Sequence, residues 1–256
     1  MDLSGKVAAV FGVANDRSIA WSVARMLHEA GAKLALSYQN DRLKDRVAKL
    51  ADTLEGDTLL VECDVSQDAS IDSAFASIGD QLGRLDYLVH SIAFANREDL
   101  GGDFSGTGRE GFRVALEISA FSLIPLVRGA AGLMSEEGGS VVAMTFQASE
   151  RVFPGYNIMG TAKAALENEV RQLAAEYGNR NIRVNAISAG PLETLAARGI
   201  QGFLDMKKTH AERAPLGRNI THDEVAKTAL FLCSDMASGI TGSIVPVDAG
   251  YHIMAV

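Results

Sequence analysis

Cysteine, basic charge and long apolar runs are all scarce in this 256-residue chain. The two cysteines, Cys63 and Cys233, lie inside the apolar stretches LLVECDV and ALFLCSD, with no partner at metal-ligand spacing. This excludes a cysteine metal site and leaves both expected to be buried and inert. The formal net charge is -8, and no Lys/Arg cluster interrupts it, which argues against a nucleic-acid or anionic-membrane surface. No segment approaches 18 uninterrupted apolar residues, and the start, MDLSGKVAAVFG, lacks a basic stretch followed by a long apolar run, so a cytoplasmic protein is expected. Repeats, low-complexity tracts and linkers are missing too. What remains is 47% hydrophobic and 22% charged, enough apolar material for a sizeable core and too much for disorder.

The apolar material is organised as one continuous alternation of strands and helices. VAAVF (Val7 to Phe11) is a short apolar run, followed by a polar turn and then SIAWSVARMLHEAG, where apolar residues recur at helical spacing up to Gly31. Further strands are predicted at Lys33 to Tyr38, Leu59 to Cys63, Tyr87 to Ile92, Ser140 to Thr145, Ile182 to Ile187 and Ser243 to Val247. Helices are predicted to begin near Asp41, Ile71, Arg109, Tyr156 and His222. Seven buried strands with helical crossovers imply an α/β fold, a doubly wound parallel sheet covered on both faces in the order 3-2-1-4-5-6-7. The whole chain reads as a single domain. Pro246 in the last strand fits an edge position, because proline cannot donate to a ladder. The segment from Ser188 to about Thr221 has no clear period and leaves the carboxyl end of the sixth strand. Ligands of open α/β sheets sit at such ends, which makes this segment a candidate substrate-covering loop.

The turn after the first strand, FGVANDRSIA, offers only Gly12 where a full dinucleotide fingerprint has three glycines. A dinucleotide phosphate at the helix N-terminus, met by Ser18 and Ile19, and a plain small-residue turn are both open readings. The second strand ends in SYQNDR: Gln39 is neutral, which favours NADH, and Arg42 keeps NADPH as the alternative. Asp64 at the end of the third strand either faces an adenine amino group or caps the strand end. In GYNIMGTAK, Tyr156 and Lys163 are seven residues apart, so a helix beginning near Tyr156 stacks them on one face, two turns from each other.

These pieces resemble a known family. GVANDRSIAW, SYQNDRLKDRV, CDVSQDASID, HSIAFA, PGYNIMGTAKAALE, RVNAISAGPLETLAA and TGSIVPVDAG together resemble the short-chain dehydrogenase/reductase superfamily. Within it they are similar to the divergent branch of NADH-dependent enoyl-acyl-carrier-protein reductases of bacterial fatty-acid synthesis. The resemblance implies reduction of trans-2-enoyl thioesters, with Tyr156 stabilising an enolate and Lys163 holding the nicotinamide ribose. It places Gly12, Ser18, Ile19, Gln39, Asp64, Val65, Ile92 and Leu192, Glu193, Thr194, Leu195 and Ala196 along the cofactor. Ala95, Phe146, Met159, Phe203 and Met206 go to the substrate, the last three as an apolar acyl channel or as plain core. An acyl carrier protein as partner and a homotetramer follow from the same resemblance.

Ordinary members of the superfamily place tyrosine and lysine one helical turn apart, with a serine upstream. Here Met159 stands four before Lys163, Thr145 is the only nearby substitute for the serine, and the tyrosine has moved back to 156. Position 146 is Phe where many relatives carry a second tyrosine, and position 193 is Glu where a basic residue is common. His90 reads as a packed strand residue. The segment after the sixth strand mixes Arg198, Lys207 and Lys208 with Asp205. Two rival readings stand beside the enoyl reductase: a carbonyl reductase on the same fold, and a non-catalytic nicotinamide sensor.

Overall fold

The computed structural model describes residues 1–194, 197, 200 and 202–255. Its seven strands are β1 (Val7–Phe11), β2 (Lys33–Tyr38), β3 (Leu59–Glu62), β4 (Tyr87–His90), β5 (Gly139–Thr145), β6 (Ile182–Ala189) and β7 (Ile244–Val247). All pair in parallel, in the predicted order β3-β2-β1-β4-β5-β6-β7. The helices are α1 (Ile19–Glu29), α2 (Asp41–Ala51), α3 (Asp68–Leu82), α4 (Arg109–Leu116), α5 (Leu123–Leu133), α6 (Ile158–Tyr177), α7 (Phe203–Arg213) and α8 (His222–Cys233).

The reason the strands read as unbroken apolar runs is visible in β1. Val7, Ala9 and Phe11 face one core, shared with Ile71, Phe75 and Ile78 of α3 and with Leu166 and Val170 of α6. Ala8 and Val10 face the other, shared with Val23 and Leu27 of α1 and with Val225 and Leu232 of α8. Successive side chains point to opposite faces of a strand, so a sheet covered on both sides needs apolar residues at every position. Cys63 and Cys233 belong to these cores, and burial pushes both thiols up to about 12, which keeps them protonated and unreactive.

Pro246 lies in the outermost strand, as its missing N–H requires. Other boundaries differ from the sequence expectations. β3 and β4 stop at Glu62 and His90, where the Cys63 and Ser91 amides make the last bonds to the neighbouring strands, on the Tyr38 and Phe11 carbonyls. β6 runs two residues further, to Ala189, and α3 starts at Asp68. The segment 188–221 contains an eleven-residue helix, α7, whose weak amphipathic pattern hid it. Between α4 and α5 the chain makes a π-helical turn, Glu117–Phe121. Ser119 in that turn accepts from the Phe94 amide (2.8 Å) and donates to the Phe94 carbonyl (2.9 Å), pinning the chain that leaves β4. The run Arg109–Leu133 is long enough and, over 18 of its residues, apolar enough to cross a membrane, yet 56% of that stretch is buried in the protein and the run packs against α3 and α6, as a core helix does.

The sheet order reverses between β1 and β4, and Gly12 sits where they part. Its φ is +106°, and a Cβ there would lie 2.1 Å from the Ser91 carbonyl oxygen. Gly12→Ala is therefore expected to destabilise the protein by about 2 kcal/mol or more and to lower Tm by about 4 °C or more in thermal unfolding. An unchanged Tm would contradict the close approach of these two strand ends.

Candidate active site

A cavity of about 590 Å³ opens at the carboxyl ends of β1, β4, β5 and β6. The crevice at a reversal of strand order is where open α/β sheets receive ligands. Its first wall is the β1–α1 turn. Ser18 is the N-cap of α1 by position, but its hydroxyl does not cap the helix: it accepts from the amides of Ala14 and Asn15, both at 3.0 Å, and shapes the turn instead. The Ser18 amide also turns back, to the Asn15 carbonyl. Ile19, which lines the cavity, opens the first turn of α1, where amide groups lack intrahelical acceptors and no acidic side chain competes for them. That end of the helix suits an anion.

Lys163 reaches the cavity floor from α6. The side chain is buried, and its ammonium donates to the Met144 carbonyl (2.8 Å) and to the Ile92 carbonyl (3.4 Å). Burial pulls its pKa down to about 8, against the carboxylate of Glu167 one turn along the helix, which holds the proton on. Glu167 is itself buried, and the Thr145 hydroxyl donates to it at 2.7 Å. Thr145 lines the cavity, but its proton is directed away from it. That proton is thus not offered to a ligand in the cavity.

Tyr156 also lines the cavity, though not from a helix. α6 starts at Ile158, so the expected stacking of Tyr156 and Lys163 on one helical face does not occur; the tyrosine stands on the turn before the helix. The turn closes through the Met159 amide, which donates to the Tyr156 carbonyl at 3.0 Å. The Tyr156 ring stacks on Phe146, centroids 4.9 Å apart, and Phe153 touches both rings, 4.8 Å from Phe146 and edge-on to Tyr156 at 6.5 Å. Burial pushes the Tyr156 hydroxyl above its ordinary pKa, so it remains a proton donor at neutral pH.

His90 is fully buried, with Nε2 2.8 Å from the Ser122 hydroxyl. That hydroxyl donates to the Ile118 carbonyl, so Nε2 must carry the proton toward Ser122. Burial, reinforced by the Lys163 charge, pulls the ring down to about 3 and keeps it neutral. It packs, as its place in the strand predicts.

Of the residues expected from sequence, the cavity is lined by Gly12, Ser18, Ile19, Ile92, Ala95, Phe146, Tyr156, Met159, Lys163, Leu192, Thr194 and Phe203. Gln39, Asp64 and Val65 lie outside this lining, just beyond the carboxyl ends of β2 and β3 on the same edge of the sheet. Asp64 accepts from the amide and the hydroxyl of Ser66, at 3.0 and 2.8 Å, so the strand-end cap is built. Glu193 is exposed and pairs with Lys207 of α7, tying the chain after β6 to that helix. Met206 is partly buried on α7, outside the lining. Leu195, Ala196 and Arg198 fall outside the described residues. Sequence reasoning missed Arg97 and Leu100, which lie on an unpatterned loop after β4, and Met144 and Gly190 at the ends of β5 and β6. The last two were findable from their place at strand ends.

Comparison with known proteins identifies the family. Residues 12–252 match the family model described as enoyl-(acyl carrier protein) reductase. The enoyl-acyl-carrier-protein reductase (NADH) FabI of Bacillus subtilis (strain 168) is 50% identical over 254 residues, covering 99% of this chain and 98% of its own. The corresponding NADPH reductase of Staphylococcus aureus (strain MRSA252) is 47% identical, covering 98% of each chain. Among solved structures, the Bacillus cereus enoyl-acyl carrier protein reductase with NADP+ and indole naphthyridinone superposes with a TM-score of 0.97 at 49% identity, over 100% of both chains. The NADH enzyme of Aquifex aeolicus VF5 gives 0.96 at 46%, over 99% of both. With matches that run nearly end to end, this chain belongs to the enoyl-(acyl carrier protein) reductase family.

Proposed function

We propose that this protein reduces the carbon–carbon double bond of trans-2-enoyl thioesters carried on acyl carrier protein, using NADH, as the last reductive step of fatty-acid elongation. The observation that carries the reading is the pairing of a half-buried, protonated Tyr156 with a buried Lys163 in one cavity, while Thr145 directs its proton elsewhere.

The residues present suit a nicotinamide dinucleotide. Gly12 lines the cavity where β1 and β4 part, and the start of α1 offers amides to a pyrophosphate. Two of the three Lys163 N–H donors are directed to carbonyls, which leaves one for a ribose hydroxyl. Gln39, neutral and exposed, favours NADH; Arg42 beside it keeps NADPH as the second cofactor to test. Asp64, Val65, Ile92 and the run from Leu192 through Ala196 complete the cofactor-binding set. When bound, NADH supplies the hydride to the β-carbon.

The remaining steps belong to the protein. Tyr156 donates to the thioester oxygen as negative charge develops on it, a contact worth about 10²- to 10³-fold in kcat at comparable sites. The Lys163 charge favours the same enolate, and the α-carbon is then protonated from solvent. Phe146 shapes the pocket but has no hydroxyl to add a second hydrogen bond. Ala95 offers backbone to the substrate, and Met159, Phe203 and Met206 supply an apolar path for the acyl chain. Residues 188–221, with α7 among them, act as its cover. The carbonyl-reductase reading loses its only substitute donor in Thr145. A homotetramer in the cytoplasm is proposed as well, supported by the exposed rings of Phe112 and Phe121 along the α4–α5 run; sedimentation equilibrium at a monomer mass would remove it.

Two measurements test the mechanism. NADH oxidation with a short trans-2-enoyl coenzyme A thioester is expected to proceed, and Tyr156→Phe to lower kcat by about 10²-fold while cofactor binding persists. Reduction of a ketone but of no enoyl chain would return the protein to ordinary carbonyl chemistry. The second test is the pH profile of kcat/KM. Lys163 is charged below its pKa of about 8 and neutral above it, so activity should fall as pH rises through that value. Glu167 raises this pKa, so Glu167→Gln should move the descending limb to lower pH; a limb that stays or moves up would remove Glu167 from the role.

A further inference from the structure

The turn that presents Tyr156 is made by a residue in a conformation that side chains avoid. Asn157 has φ +36° and ψ -117°. With the Tyr156 carbonyl accepting from the Met159 amide, residues 156–159 form a turn close to type II′, whose first central position belongs to glycine. Asn157 has no role as a helix cap, although it precedes Ile158. Its amide nitrogen instead donates to the carbonyl of Gly101 at 2.6 Å and to that of Gly102 at 3.2 Å. Both glycines are themselves at positive φ, +92° and +64°. This pair lies directly after Leu100, which with Arg97 forms the cavity wall contributed by the loop leaving β4. One side chain therefore joins the turn of Tyr156 to the facing wall, across more than fifty residues of sequence.

A strained conformation persists only where its surroundings over-determine it, and glycine would satisfy this turn without strain. What glycine lacks is the pair of hydrogen bonds to residues 101 and 102. We propose that Asn157 is a positioning residue for the reaction: its side chain clamps the Tyr156 turn to the 100–102 loop and so fixes where the tyrosine hydroxyl stands in the cavity. The inference rests on the reading of Tyr156 as the group that meets the substrate oxygen. It adds that the hydroxyl is aimed from outside the cavity, by a residue that touches neither substrate nor cofactor. The asparagine holds the turn; the tyrosine acts.

The test separates fold from aim. Asn157→Gly relieves the backbone and removes the clamp, so Tm should stay the same or rise while kcat falls about 10- to 100-fold, the scale of a misplacement near one ångström. The NADH dissociation constant should not change. Asn157→Ala removes the clamp but keeps the strain, and should lower kcat similarly with a lower Tm. Both glycine and tyrosine changes then enter a double-mutant cycle, in which Asn157→Gly added to Tyr156→Phe should alter kcat by less than about twofold. An Asn157→Gly enzyme with wild-type kcat, beside an impaired Tyr156→Phe, overturns the positioning role and leaves the tyrosine reading standing. So does a full, additive loss in the Tyr156→Phe background. A Tyr156→Phe enzyme at wild-type rate overturns both.

Discussion

A primary ammonium buried beneath the cavity is the interaction on which the site depends. Taking a charge out of water is costly unless it is paired and hydrogen-bonded. Lys163 meets that demand with the carbonyls of Met144 and Ile92 and with the field of Glu167. Those carbonyls belong to β5 and to the chain just past β4, so the same contacts that stabilise the charge fix α6 against the ends of two central strands. Glu167 is stabilised in turn by the Thr145 hydroxyl. The polar groups form one connected set, and no apolar replacement of a single member would leave the others satisfied.

Around that floor the walls are loops, and polar side chains bonded to backbone hold them. Ser18 gathers the amides of Ala14 and Asn15 in the turn after β1. Ser119, presented by a π-helical turn, takes both the amide and the carbonyl of Phe94 after β4. Asn157 takes the carbonyls of Gly101 and Gly102. Short side chains suit this work because they satisfy backbone groups that regular structure cannot reach, with little rotamer entropy to lose. A scaffold of buried strands fixes the loop ends, and these single contacts fix the loop interiors.

The division between what was legible in the sequence and what was not follows the same line. The strands were legible because a doubly covered sheet writes apolar residues at every position, and β1 and β2 were bounded to the residue. Pro246 announced its edge. The start of α6 was misread because nothing in the local pattern of GYNIMGTAK reports that Asn157 adopts a positive φ; that conformation is set by tertiary hydrogen bonds to a loop far away in sequence. α7 was missed inside the segment 188–221 because its buried face is limited to Phe203 and His210, too few to write a period. Arg97 and Leu100 were invisible for a related reason: they reach the cavity from a loop whose course is set by Ser119 and Asn157, not by its own periodicity.

In the proposed mechanism, the displacement of the tyrosine from helix to turn is what adapts the fold to an enoyl thioester. On a helix, a tyrosine one turn before the lysine is tied to the lysine by the helical rise, so the two move as a unit. Here that helical position is filled by the buried Met159, and Tyr156 is oriented by the turn and by stacking on Phe146. Its hydroxyl is thereby set independently of the ammonium. In the proposed reaction the oxygen that gathers charge lies three bonds from the carbon receiving hydride and needs a donor with that freedom, whereas a ketone, whose oxygen is bonded to the accepting carbon, does not. Thr145 adds to this from the other side, because its proton is held by Glu167, away from the cavity where a ketone would need it.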